Sequence, residues 1–152
     1  MIEDRQPYSF RDDPAVPQFS CGPVFVVMDA CCALCSRGAA WIARNDRAAE
    51  FTIIPMQSDL GAALLAHYGL DPADPVTWLY VEDGRAFSSL DAVMRAGRRF
   101  GGVWSALSAL RVLPAALRDA LYRTVARNRY RVFGRTDMCS LPDPEVRKRL
   151  LV

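Results

Sequence analysis

Val24-Phe25-Val26-Val27-Met28-Asp29-Ala30-Cys31-Cys32-Ala33-Leu34-Cys35 is the stretch on which the reading of this chain turns. Its first five residues form a continuous β-prone apolar run. Such a run fits a strand buried on both faces, as in a parallel sheet. The run breaks at Asp29. From about residue 32 to 44, helix formers follow in which small and large side chains alternate, and Asn45-Asp46 ends them. A strand therefore runs into a helix with Cys32 and Cys35 at the junction. A bare CxxC also occurs in zinc sites. At a strand-to-helix junction inside a βαβ pattern it reads as a redox dithiol.

Three physical effects favour that chemistry. Cysteines three apart at a helix start can bring their sulfurs to bonding distance. The first sulfur faces unsatisfied N–H groups and the positive end of the helix dipole, which lowers its pKa. The preceding loop is expected to leave that sulfur open while the second is shielded further into the helix. Cys32 is thus expected as the attacking thiolate and Cys35 as the resolving thiol. Arg37, within a turn, either favours the thiolate or is an exposed helix charge. Asp29 has two compatible readings. It relays a proton to the dithiol, or opposes the thiolate by like charge; alternatively it caps the following helix.

Outward from this stretch the pattern continues. Residues 51–54 read as a second strand closed by Pro55. Ser58 or Asp59 is suited to cap a helix through Leu64, Leu65 and Tyr68, with Gly69 as a left-handed stop. Residues 77–81 read as a third strand, and Asp83-Gly84 signals a tight hairpin into a short return strand over 85–87. Ser88 stands three before Asp91, a capping-box-like start to a helix carrying Leu90, Val93, Met94 and Phe100. The order is βαβ and then ββα, that of a thioredoxin-like α/β fold, and the crossover is expected to be right-handed. Beyond Gly101-Gly102, residues 103–112 and a stretch from Pro114 carrying Leu117, Leu121 and Val125 are expected as a helical extension packed on the same core. Residues 1–19, with Pro7, Pro14 and Pro17, read as a flexible arm. Residues 20–152 read as one domain, with its helical extension from about 102.

The residues also carry a resemblance. Asp29-Ala30-Cys31-Cys32-Ala33-Leu34-Cys35 resembles the D-x-x-C-x-x-C signature of the DCC family of thiol–disulfide oxidoreductases. So do residues 81–85, 89–93, 126–131 with Phe133-Gly134, and Cys139 before Pro142. The resemblance covers residues 24–150 and implies a thioredoxin-like fold and a redox role, without naming a substrate. Ala30 stands where the family usually has Gly. Val76 stands where thioredoxins place a cis-proline facing the dithiol. A cis bond at a non-proline residue costs about 3 kcal/mol, so a trans bond is expected there, with a changed substrate groove.

Composition adds limits. The chain has 152 residues and a formal net charge of +2. From Arg111 onward ten basic residues face four acidic ones. That basic third reads as a solvated helix face, and nucleic acid is not expected as a partner. No uncharged run reaches the roughly 18 residues of a membrane span, and the start Met1-Ile2-Glu3-Asp4-Arg5 is unlike a signal peptide. A cytoplasmic protein without membrane contact is expected, its five cysteines reduced, catalytic or metal-binding rather than structural. Cys31, Cys21 and Cys139 are read as bystander or structural thiols, and His67 as a surface or capping residue. A zinc or copper site drawing on Cys31, Cys32, Cys35 and Cys139 with Cys21 or His67 is the alternative, disfavoured because only one tight pair is present. A non-enzymatic binding module using residues 128–131 is a third reading, against which Arg and Tyr salt-bridging inside the domain is favoured. The expected activity is dithiol–disulfide exchange at Cys32 and Cys35, with Asp29 assisting. No cofactor or metal is required, only a protein or small thiol partner and an external electron donor or acceptor.

Overall fold

All five side chains of β1, Val24–Met28, are buried, as a run apolar on both faces requires. In the computed structural model, which describes residues 2–74, 77–136 and 143–151, helix α1 (Ala33–Asn45) leads from β1 to β2 (Phe51–Pro55). Helix α2 (Asp59–His67) leads to the hairpin of β3 (Leu79–Glu82) and β4 (Arg85–Phe87), and α3 (Ser89–Phe100) follows. The sheet order is β2-β1-β3-β4. β1 runs parallel to β2, with Val24 opposite Phe51, and antiparallel to β3, with Val24 opposite Glu82. This is the βαβ-then-ββα arrangement of a thioredoxin-like fold. One face of the sheet packs Val24, Val26, Ile53 and Tyr80 against Ala39 and Ile42 of α1 and Ala92 of α3. The other packs Phe25, Val27, Ile54, Leu79 and Val81 against Leu64 and Leu65 of α2.

Local chemistry sets the connections. Ser58 caps α2 by accepting the Gly61 N–H at 3.0 Å, a contact of about 1 kcal/mol. Asp83 and Gly84 both have positive φ, 49° and 76°, the condition for a type I′ hairpin. At Gly84 a Cβ would stand 2.6 Å from the Tyr8 backbone nitrogen, which donates to the Gly84 carbonyl at 3.0 Å.

Several expectations need correction. The stretch expected as a loose arm is packed: Phe10 and Val16 are buried against Phe25 and Leu65. His67 is buried rather than at the surface. Its Nδ1 lies 2.5 Å from Asp13 Oδ2 and its Nε2 2.9 Å from Ser9 Oγ, which staples residues 9 and 13 to α2. Ser88 stands at the N-cap of α3 but makes no side-chain cap bond, and Asp91 is drawn instead to Arg118 at 2.6 Å. Residues 77 and 78 precede β3 rather than belonging to it. Residues 102–112 form a 3₁₀ helix with no buried residue.

Helix α4 (Ala115–Phe133) shows the helical period expected of it but buries a different face. Leu117, Leu121 and Val125 are exposed, and Ala126 and Arg129 are buried. Pro114 takes the cap position rather than the first helical one. Helix α5 (Pro144–Arg149) buries Val146, and Leu150 then pairs with Ile53 at the free side of β2. The expectation of a trans bond at Val76 and the reading of Cys139 fall outside the described residues.

Candidate active site

The end of β1 delivers Asp29 into the interior and Cys31 to the surface. Cys32 is the N-cap residue of α1, with extended backbone and no side-chain cap bond. Cys35 follows in the first turn, half-buried. The two thiols are thus three residues apart at the start of α1. Burial pushes the Cys35 thiol up to about 12, with the charge of Cys32 adding to the rise and Arg129 opposing it.

The exposure of the pair inverts the expectation. Cys32 is 0 % exposed, and the cover comes from the chain just beyond α4. The Ala33 N–H donates to the Gly134 carbonyl at 3.3 Å, and the Thr136 N–H to the Cys31 carbonyl at 3.1 Å. Cys32 and Arg135 form an antiparallel bridge between them. Nothing in the sequence near the dithiol announces this strap, because it is supplied about a hundred residues later.

Asp29 is 1 % exposed and carries four donors. Oδ1 accepts the Cys31 N–H at 2.8 Å and Gln57 Nε2 at 2.7 Å. Oδ2 accepts Arg129 Nη2 at 2.6 Å and the Tyr130 hydroxyl. Burial alone would raise this carboxyl, but the Tyr130, Cys31 and Gln57 hydrogen bonds and the Arg129 charge hold it below the usual carboxylate range. Gln57 also accepts the Ala30 N–H at 3.1 Å, so it bridges the loop to the carboxylate. The turn before α1 is thus tied by Asp29, which bonds the Cys31 N–H rather than an N–H of the helix itself.

Arg129 completes the pair from α4. Its side chain is 5 % exposed, and its guanidinium lies over the Tyr130 ring at 5.0 Å. Burial works against its charge, but Tyr130, Cys35 and Asp29 together stabilise the cation. Its Nε is buried and has no hydrogen-bond partner among the described residues. Internal salt bridging is the favoured reading of the 128–131 block, and Arg129 makes such a bridge with Asp29. No local feature of the sequence links Arg129 to the turn that carries the dithiol. The available signal was spacing: Tyr122, Ala126, Arg129 and Phe133 recur at helical intervals and form the inward stripe of α4.

The other candidates lie apart from this arrangement. Arg37 is exposed on α1. Cys21 is half-buried ahead of β1, and burial pushes its thiol up. Among the described residues no three His, Cys, Asp or Glu side chains come together as a metal ligand set. No helix among them is long and apolar enough to cross a membrane.

Comparison with known proteins identifies a family. The family model for DCC1-like thiol–disulfide oxidoreductases matches residues 26–135. The chain is 29 % identical over 126 residues to the uncharacterized protein YuxK of Bacillus subtilis (strain 168), covering 83 % of this chain and 92 % of that one. It is 32 % identical over 117 residues to the chloroplastic DCC family protein At1g52590 of Arabidopsis thaliana, covering 76 % of this chain and 68 % of that one. No solved structure matches it. With a buried Asp29–Arg129 pair behind a CxxC at the end of β1, and a family match spanning both, the chain belongs to the DCC1-like thiol–disulfide oxidoreductase family.

Proposed function

We propose that the protein exchanges a Cys32–Cys35 dithiol for a disulfide with a protein or small-molecule thiol partner. One observation carries this reading: Cys32 at the N-cap of α1 and Cys35 in its first turn, directly after the end of the interior strand β1. Cys32 thiolate attacks one sulfur of the partner disulfide, and the other sulfur leaves as a thiolate. Cys35 then attacks Cys32, closing the intramolecular disulfide and releasing the partner's remaining sulfur. An external donor or acceptor resets the pair. A cytoplasmic setting, which holds thiols reduced, suits a reductive direction.

The strap over residues 134–136 gives this chemistry a first step. Cys32 is reached when the bridge to Arg135 opens. Asp29 is better suited to holding the site than to moving protons, since four donors fill the positions a carboxylate offers.

Equilibration in a series of glutathione buffers, followed by intact mass and cysteine mapping, tests the proposal. Loss of about 2 Da with a Cys32–Cys35 crosslink, at a midpoint roughly between −300 and −120 mV, is the expected result. A pair that stays reduced throughout, or a crosslink that uses Cys31 in place of Cys32, would overturn it.

A further inference from the structure

The resolving step poses a problem that the first step does not. Cys35 has to become a thiolate inside the protein, with its thiol pushed up to about 12. The charged and titratable groups around it come from three elements: Cys32 on its own helix, Asp29 at the end of β1, and Arg129 with Tyr122 on α4. Once Cys32 is locked in a mixed disulfide, its charge is gone. Asp29 then opposes the Cys35 anion and Arg129 favours it.

The geometry of Arg129 fits that task. A buried arginine is expected to satisfy its donors. Arg129 commits Nη2 to Asp29 and to the Tyr130 hydroxyl, at 2.6 and 3.4 Å, and its buried Nε has no partner among the described residues. Asp29 in turn is saturated by Cys31, Gln57, Arg129 and Tyr130, so it is fixed in place. An anion with no spare acceptor position thus ties this cation to the turn that carries the dithiol: Asp29 also binds the Cys31 N–H, and the chain just past α4 bridges Cys32.

We propose that Arg129 is the positioning residue of the resolving step, the charge that the Cys35 thiolate is formed against, and that Asp29 is its holder rather than a base. This rests on the dithiol reading above. In the step itself Cys35 loses its proton to solvent and its sulfur attacks Cys32 Sγ. The bond from Cys32 to the partner sulfur breaks, and that sulfur leaves with the electron pair as a thiolate. Arg129 gives up no proton and forms no bond to sulfur.

The test uses the full chain with Cys21, Cys31 and Cys139 changed to Ser, so that only the pair reports. The probe is the aromatic disulfide 5,5′-dithiobis(2-nitrobenzoic acid). Attack releases one coloured thiolate, and resolution by Cys35 releases a second. In Arg129→Met the first release is expected to persist. The second is expected to slow about tenfold at neutral pH, the equivalent of roughly one pH unit in thiolate population. Arg129→Lys, which keeps a charge, is expected to recover most of the rate. Asp29→Asn added to Arg129→Met is expected to cause no further slowing, because the holder then has nothing to hold. If Arg129→Met does not fold, Arg129→Gln, which removes the charge and keeps a polar side chain beside Asp29, is read the same way.

A second release with unchanged rate and pH profile in the folded Arg129 variants would overturn the proposal and leave Arg129 as a structural tie. A second release slowed further when Asp29→Asn is added to Arg129→Met would overturn the holder role, because Asp29 would then act on Cys35 without Arg129. Failure of the second release in the parent chain itself would sink the dithiol reading instead.

Discussion

Helix α1 is closed at both ends by the same device used for different ends. At its start Asp29 pairs with Arg129, and just past its end Asp46 pairs with Arg149. Each aspartate belongs to the βαβ unit. Each arginine comes from a C-terminal helix 100 or 103 residues later. Both pairs are buried, at 1 % and 5 % exposure for the first and 3 % and 9 % for the second. The difference lies in how fully the arginine is used. Arg149 spends every nitrogen: Nε on Asp46 Oδ2 at 3.0 Å, Nη2 on the Asp46 carbonyl at 2.8 Å, and Nη1 on the carbonyl and side chain of Glu145. Asp46 also accepts the Glu50 and Phe51 N–H groups, which fixes the entry to β2. Arg129 has a buried Nε with no partner among the described residues. A buried ion pair is by itself poor evidence for net stability, because desolvation offsets attraction. Completeness is the contrast to test: every nitrogen of Arg149 is bonded, whereas Arg129 Nε is not bonded among the described residues.

The largest effect expected from breaking this contrast is on stability. Arg149→Met strands the Asp46 carboxylate, and denaturant unfolding is expected to show a loss of about 3–5 kcal/mol. The Cys32–Cys35 redox midpoint should stay where it is. A midpoint that moved with Arg149 would show that the two ends of α1 are not separate.

Acid comes next. Burial would raise the Asp29 carboxyl, but its four donors hold the folded pKa below the unfolded value of about 3.9. A group with a lowered folded pKa contributes stability that is present above the unfolded pKa and is lost as pH falls through the folded one. Stability measured from pH 6 downward should therefore start to fall below about pH 4, and Asp29→Asn should flatten that fall. An equally steep fall in the variant would place the acid sensitivity elsewhere.

The smallest expected effect concerns the strap. Thr136→Pro removes the N–H that bonds the Cys31 carbonyl. Alkylation of Cys32, followed by peptide mapping, should quicken several-fold, with about 1 kcal/mol or less lost from stability. Unchanged labelling would mean that opening at residues 134–136 does not govern access to the thiol.

Much of the frame was legible because it is local. The run from Val24 to Met28, the Ser58 cap, the Asp83-Gly84 turn and the strand–helix order each follow from neighbours a few residues apart. The position of Cys32 and Cys35 was legible for the same reason. Their exposure was not. It depends on residues 134–136 and on which face α4 turns inward, and a period of 3.6 fixes the spacing of a face, not its identity. Leu117, Leu121 and Val125 form an apolar stripe that reads as core. The face with Arg129 is buried instead, because it meets Asp29. His67 likewise looked peripheral until the folded chain brought Ser9 and Asp13 to its two ring nitrogens.

The pairing of Leu150 with Ile53 carries a consequence for the company the molecule keeps. The Leu151 N–H donates to the Ile53 carbonyl at 2.8 Å, on the side of β2 that faces away from β1. An open sheet margin of Phe-Thr-Ile-Ile is a template on which another chain can add itself. Residues 150 and 151, just past α5, occupy part of that template, which limits strand addition there. A chain that stopped short of Leu150 would keep its dithiol and lose part of its protection from polymerising.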